Sequence, residues 1–148
     1  MKSVLDKVTR DELTTRINNL NENSTRQWGK MNVGQMLEHC VRAEESYLGK
    51  THYKRTFLGF LFGKIALKNM LKDDAPVRHN MPTKPEFIVT EPCADIEAGK
   101  EKWITLINAY GQYTKPVFVH FFFGPMTREQ LGYFVYKHAD HHLRQFNS

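Results

Sequence analysis

Two histidines stand four residues apart near the end of the chain, in a segment with the pattern of a helix. On a helical wheel with about 100° per residue, the directions of His138 and His142 flank that of Leu131. Both histidines therefore lie in the middle of the apolar stripe. Two adjacent imidazoles on an apolar face cannot both be charged, and their nitrogens still need partners. Histidines at positions i and i+4 can share one cation, so the pattern predicts a metal site. The alternative is one ring bonded to a core backbone group and the other at a wet edge.

A third ligand must come from another helix. His39 is the first candidate, because it lies on the apolar face of an earlier helical segment. His120 is the second, since it precedes an aromatic run just before the last helix. His52 and His79 are expected at the surface. Cys40 is rotated by about 100° from His39 and is expected to be a small buried apolar residue.

The surroundings of these histidines suggest which chemistry is open to them. Position 139 is alanine, so the HExxH pattern and its built-in general base are absent. Three neutral histidines leave a fourth coordination position for water or substrate. An ion held in this way lowers the pKa of bound water toward about 7, and zinc equally suits a thiolate. Asp140 lies on the opposite side of the helix and is expected to form a surface pair with Arg144, so no general base is identified.

Several polar residues could support the rings or line a pocket beside them. Acceptors that could orient the ligands are Gln35, Glu38 and Gln145. His141 lies at the edge of the apolar stripe, about 80° from its centre. Together with His120, it is a further candidate for the pocket.

The elements that must position these residues are mostly helical. In chain order, the expected helices are Lys2–Asn19, Asn32–Leu48, Phe57–Leu71, Asp95–Tyr110 and Thr127–Phe146. Four are long, so the sequence predicts an all-α antiparallel four-helix bundle, with an extra helix and a long loop between the second and third long helices. The alternative is a mixed α+β fold with a hairpin around Phe87 and Val117–Phe122.

Capping patterns and prolines set the boundaries of these elements. Asn32 with Gln35, and Thr127 with Gln130, each form a predicted capping box. Residues 73–92 contain four prolines and are expected to form a loop with a short extended piece at Phe87–Thr90.

The net charge of +5 comes from one part of the chain. Between Lys50 and Lys84 there are eight cations against two acids, so the rest of the chain carries about −1. No nucleic-acid recognition motif accompanies this charge, and a nucleic-acid partner is not expected. The composition is that of a globular protein and fits one domain over residues 1–148.

The compartment follows from the N-terminus and the cysteines. The N-terminal segment lacks an apolar region typical of a secretory signal. Cys40 and Cys93 do not form a disulfide framework. A cytoplasmic protein is therefore expected.

Two motifs carry a resemblance to a known group of proteins. The pattern W-G-K-M-x-x-G-Q-M-L-x-H at Trp28–His39, with K-H-x-D-H-H-L-R-Q-F at Lys137–Phe146, resembles the DinB/YfiT-like superfamily, and more narrowly a bacterial subgroup of unassigned function. The segment F-F-G-x-M-T-x-E-Q at Phe122–Gln130 extends the likeness. One departure is that Phe121 follows His120, where related sequences usually have proline.

The resemblance implies both a fold and a function. It implies a four-helix bundle, often dimeric, with a divalent metal, commonly Zn or Ni, held by His39, His138 and His142. Relatives of known activity include thiol-dependent S-transferases, a thiol-dependent isomerase and metal-dependent hydrolases. The first hypothesis is therefore a homodimeric enzyme that uses a divalent metal, and a low-molecular-weight thiol or water, on a small and anionic substrate.

The second hypothesis is a metal-binding or stress-response module without turnover, associating with an anionic membrane surface through Lys50–Lys72. Lys64, Lys68 and Lys72 have a spacing that would form a cationic seam, and nearby phenylalanines could anchor it. The favoured interpretation of this stretch is instead a partly buried helix that caps the bundle, with its lysine stems along apolar surface. A membrane partner is accordingly not the first expectation.

Overall fold

The computed structural model describes residues 1–148 and contains five helices and one small hairpin. The helices are α1 (Lys7–Asn18), α2 (Val33–Tyr47), α3 (Phe57–Met70), α4 (Ile96–Ala109) and α5 (Arg128–Gln145). The strands are β1 (Val117–His120) and β2 (Gly124–Thr127). The expectation of a mostly helical chain is confirmed. The bundle type remains a prediction.

Side-chain caps explain where most of the helices begin. Asn32 and Gln35 form a reciprocal capping box at the start of α2, and Thr127 and Gln130 form another at the start of α5. The start of α4 is capped by Asp95, whose carboxylate accepts from a backbone N–H. Each cap satisfies an amide that the helix itself leaves without a partner. The first helix begins at Lys7, within the predicted span Lys2–Asn19, and the preceding Val4 donates its N–H to the carbonyl of Gly132.

The core lies between the four long helices. Helix α4 packs against α1 and α2, and α5 packs against the same two helices. Fully buried side chains from all four contribute, among them Leu13, Met36, Trp103 and Leu143. Burying a large apolar side chain contributes about 1.5–3 kcal/mol, so this shared core fixes α2 and α5, the two helices that carry the candidate site.

The hairpin corrects the expectation of an all-α fold. Strands β1 and β2 pair antiparallel, with Val117 opposite Thr127 and His120 opposite Gly124. This is one of the two places where the alternative α+β reading put a hairpin. The other, around Phe87, forms no strand: Pro85–Phe87 is a 3-10 turn, and Ile88, within the predicted extended piece Phe87–Thr90, has an extended backbone.

Helix α3 rests on the turn of the hairpin through its glycines. A Cβ atom at Gly59 or Gly63 would lie 2.5 or 2.1 Å from the carbonyl oxygen of Phe122, closer than atoms can approach. Helix α3 is partly buried, as predicted, but its buried residues are Gly59, Gly63 and Leu67, and most of its large apolar side chains are exposed. The predicted cationic seam is also shorter, since Lys72 lies beyond the end of α3. No helix is both long and apolar enough to cross a membrane.

A carboxyl group is enclosed in the core between α2 and α4. Glu44 is 0% exposed, and its Oε2 accepts a hydrogen bond of 2.6 Å from the hydroxyl of Tyr110. Burial raises the pKa of Glu44 to about 8, so the side chain is protonated at neutral pH. A neutral acid needs no counterion, and no cation approaches it.

Candidate metal centre

Three histidines meet where α2 packs against α5. One nitrogen from each of His39, His138 and His142 lies within 4.8 Å of the other two. His39 and His142 are each 6% exposed, and His138 is half-buried. The two residues on α5 are one turn apart and face the single histidine of α2, as the helical periodicity predicts. The cluster could bind a metal ion.

The backbone of the long loop fixes the ring of His39. Its Nδ1 lies 2.9 Å from the carbonyl oxygen of Phe87, which can only accept, so Nδ1 carries the proton. The other nitrogen, Nε2, is then unprotonated and keeps its lone pair. The contact spans 48 positions of sequence, which is why no local pattern pointed to Phe87.

The ring of His142 is oriented from its own helix. Its Nδ1 lies 3.0 Å from Oε1 of Gln145. The Gln145 amide nitrogen donates to the carbonyl of Trp28 at 2.9 Å, so the amide oxygen is the group that faces the histidine. The ring therefore donates from Nδ1, and Nε2 is again the unprotonated nitrogen.

The ring of His138 is the one that the protein does not satisfy. Its Nε2 lies 3.3 Å from Nε2 of His39, and its Nδ1 is buried without a hydrogen-bond partner. Since His39 offers only a lone pair at that position, at least one nitrogen of His138 remains unpaired. A buried polar atom without a partner costs about 1–3 kcal/mol. A cation that accepts lone pairs from the three rings fits this donor set.

All three rings are neutral at pH 7. Burial lowers the pKa of His39, and burial with the neighbouring histidines holds the pKa of His138 and of His142 well below the usual value. Neutral imidazole is the form that ligates metals. The cluster is therefore already in its ligand form.

The other residues named beside the site have different positions. Gln35 does not touch a ring: its amide closes the cap of α2 and donates to the carbonyl of Thr90, three residues beyond the loop carbonyl that holds His39. Glu38 pairs with Arg42. Of the acceptors expected to orient a ligand, Gln145 is the one that contacts a ring nitrogen.

His141 belongs to an aromatic group beside the cluster. Its ring lies 5.6 Å from that of Trp28 and 5.0 Å from that of His142. On the outer side, His79 stacks on Trp28 at 3.8 Å with the planes 10° apart. The loop residue His79, expected at the surface, is thus exposed but holds the loop against the Trp28 segment.

His120 is separated from the cluster by the ring of Tyr47. The Tyr47 ring centre lies 5.7 Å from that of His120 and 5.9 Å from that of His138. The Nδ1 of His120 accepts the N–H groups of Phe122 and Phe123 at 3.1 and 3.2 Å, and burial lowers its pKa to about 3. His120 therefore stabilises the hairpin turn, and Tyr47 is a wall of the cluster that the sequence reading did not assign to the site.

Asp140 is not the surface residue that the sequence predicted. It is 7% exposed and binds two arginines, with 2.8 Å from Oδ1 to Arg16 and 2.8 Å from Oδ2 to Arg144. The pairing with Arg144 was expected, whereas Arg16 comes from α1, 124 positions away. Asp140 fastens α5 to α1 and points away from the histidines.

The fold and the cluster together define a helical protein with a candidate three-histidine metal centre between two of its long helices. The chain belongs to the family described as "Protein of unknown function (DUF1569)", whose sequence model matches residues 2–148. No curated protein matches the chain, and no solved structure matches it.

Proposed function

We propose that the protein binds a divalent metal ion through His39, His138 and His142 and uses it in catalysis on a small molecule. The observation that carries this proposal is the approach of Nε2 of His138 to within 3.3 Å of Nε2 of His39, in a cluster where the tautomers of His39 and His142 leave both Nε2 lone pairs free for an ion.

The spacing of the rings supports zinc as the ion, and nickel is the second candidate from the resemblance. Nitrogens around a tetrahedral zinc ion at about 2.0–2.1 Å are about 3.3 Å apart. The two Nε2 atoms of His39 and His138 are 3.3 Å apart. The widest pair in the cluster is up to 4.8 Å apart, so binding draws the rings inward.

The chain's own residues account for positioning. The carbonyl of Phe87 binds Nδ1 of His39, and the amide oxygen of Gln145 binds Nδ1 of His142. These contacts orient the Nε2 lone pairs of both rings toward a common point. The Tyr47 ring screens one side of the cluster. A divalent ion held by three neutral histidines keeps a position for an exogenous ligand and lowers the pKa of a water or thiol bound there.

We further propose that the reaction is S-transfer to a low-molecular-weight thiol, with hydrolysis as the second candidate. The support is the resemblance to the DinB/YfiT-like superfamily, together with the soft character of zinc as an ion for thiolates. The long loop contacts His39 through the carbonyl of Phe87, and its His79 ring lies 6.3 Å from the ring of His141. Arg78 is exposed in this loop, whereas Lys84 pairs with Glu86, so an anionic substrate would be attracted by Arg78.

Metal content tests the proposal directly. Purified protein, stripped and reloaded with Zn²⁺ or Ni²⁺, should retain about one equivalent. His138→Ala and His142→Ala should each lose it while far-UV circular dichroism stays helical. His52→Ala is the matched control, since His52 is exposed and lies outside the cluster.

Retention of less than about half an equivalent by the reloaded wild-type protein would contradict the site. With metal bound, a panel of electrophiles assayed with and without thiols separates the reactions. Turnover that requires the thiol supports S-transfer, and turnover without it moves the assignment to hydrolysis. Bound metal with no turnover would favour a binding module. Sedimentation of the same protein tests the expected homodimer.

A further inference from the structure

Helix α3 presents large apolar side chains to solvent. We call this surface the α3 face, and its residues are between 54% and 77% exposed: Phe57, Leu58, Phe60, Leu61, Phe62 and Ile65. Six large apolar residues within nine positions form a contiguous patch, which soluble surfaces rarely carry without a partner.

The backbone contact beneath α3 fixes the direction of this patch. Gly59 and Gly63 are one turn apart and lie against the carbonyl of Phe122. Helix α3 therefore packs on the hairpin turn through the side that has the smallest residues. Leu67 continues the same line and is 5% exposed. Since the packed side consists of glycines and one leucine, the phenylalanines are held outward by the fold itself.

The charge of the same segment is of one sign. From Lys54 to Lys72 there are five cations and no acid. Lys64 and Lys68 are exposed on α3, and Arg55 lies over the ring of Phe60 at 4.7 Å. The cations therefore lie beside the apolar residues and not on a separate face.

This combination decides between two occupants of the face. A second copy of the chain, docked α3 to α3, would bring two sets of five cations together without an acid from either α3 segment. A membrane that contains anionic lipid offers apolar depth for the phenylalanines and negative charge for the lysines. The helix is 14 residues long, so it spans about 21 Å, too short to cross a bilayer, and would lie in the plane of the interface.

We propose that the α3 face binds the surface of membranes that contain anionic phospholipid, with α3 lying flat and Phe57, Phe60 and Leu61 inserted below the headgroups. The attraction of Lys64 and Lys68 to the lipid charge adds to the burial of the apolar side chains. This inference does not depend on the metal site, because α3 contributes none of the three histidines.

Vesicle co-sedimentation tests the proposal with the full chain. Vesicles of phosphatidylcholine alone should leave the protein in the supernatant, and vesicles that also contain phosphatidylserine should carry it down. Lys64→Glu with Lys68→Glu should weaken partitioning by at least about fivefold per position. Phe60→Ser with Leu61→Ser should weaken it by at least about tenfold.

Matched controls make the result specific to this face. Val8 is an 80% exposed apolar residue on α1, and Val8→Ser should leave partitioning unchanged. Lys30→Glu changes an exposed cation outside α3 and should have a much smaller effect. Since all the substituted side chains are exposed, each variant should keep its helical circular dichroism and its metal content.

Three outcomes would overturn the inference. The first is absence of binding to anionic vesicles, and the second is equal binding to neutral and anionic ones. The third is a change from dimer to monomer in Phe60→Ser with Leu61→Ser, measured by sedimentation without lipid, which would assign the face to a second copy of the chain.

Discussion

Gln145 accepts a hydrogen bond from Nδ1 of His142 at 3.0 Å while its amide nitrogen is held by the carbonyl of Trp28 at 2.9 Å. The glutamine therefore connects a candidate ligand to the segment that precedes α2. Its environment is tight, since a Cβ atom at Gly29 would lie 2.6 Å from the same amide nitrogen. The orientation of one ligand thus depends on a residue that the ion itself would not touch.

Replacing Gln145 tests this support. Gln145→Ala should weaken metal binding by about 10–100-fold without abolishing it, because the ligand remains but loses its fixed tautomer. Competition with a chelator measures the affinity. Gln27→Ala, at an exposed glutamine, should bind as the wild type does. Unchanged affinity in Gln145→Ala would show that the contact does not orient the ligand.

His120 should affect stability and not metal binding. His120→Ala removes the acceptor of two backbone N–H groups and should cost about 2–4 kcal/mol of unfolding free energy in urea. His120→Asn restores an acceptor near Nδ1 and should recover part of that loss. Both variants should keep the full metal content, and loss of metal in His120→Asn would place this residue among the ligands.

The protonated core acid predicts a pH dependence. The pKa of Glu44 is raised from 4.5 to about 8 by burial, so its contribution to stability is present below pH 4.5 and is lost as the pH rises through 8. The stability of Glu44→Gln relative to the wild type should therefore increase by about 5 kcal/mol across this range. Denaturant unfolding at several pH values measures it, and parallel curves would mean that Glu44 is not protonated in the fold.

The buried histidines predict the opposite trend in the metal-free protein. The pKa of His120 is lowered from 6.5 to about 3, so its stabilising effect is present above pH 6.5 and is lost as the pH falls below it. Each such residue lowers the free energy of unfolding by about 1.4 kcal/mol for each pH unit below 6.5. In a Glu44→Gln background, the free energy of unfolding should fall at least this steeply as the pH decreases below 6.5. The reason is that the pKa values of the three clustered histidines are lowered as well. His120→Asn should reduce the slope by one proton, whereas His52→Ala should not change it.

The contact beneath α3 predicts an unusual cost for a small substitution. Gly63→Ala places a methyl group 2.1 Å from the Phe122 carbonyl, so α3 must shift away from the hairpin. The expected loss is about 1–3 kcal/mol, although alanine normally favours a helix. Amide hydrogen exchange should show faster exchange confined to α3. The exposed Asn69→Ala in the same helix serves as control, and equal stability in the two variants would contradict the docking.

Local signals made much of the helical fold predictable. The capping boxes at Asn32 and Thr127 fixed the starts of α2 and α5 because each depends on residues three positions apart. The periodicity of α5 placed His138 and His142 on one side for the same reason. A property that depends on a single helix can be inferred from that helix alone.

Contacts between distant segments explain what the sequence did not show. The burial of Asp140 depends on Arg16, and the tautomer of His39 depends on Phe87. Strand β2 reads Gly-Pro-Met-Thr, which has a weak strand propensity and forms because the chain folds back on β1. The outward direction of the α3 face could not be predicted from α3 alone either. It depends on the hairpin, because the hairpin packs against the side of α3 that carries the glycines.

The facing histidines have a consequence for the topology of the chain. His39 and His138 are 99 positions apart in sequence, yet their ring nitrogens are 3.3 Å apart. An ion that joins them acts as a cross-link closing a loop of most of the chain, and closures of long loops restrict the unfolded ensemble most strongly. The loaded protein should therefore resist unfolding through reduced chain entropy as well as through the ligand bonds. Without the ion, α5 would be joined to the rest of the fold by packing, hydrogen bonds and the ion pair of Asp140 with Arg16.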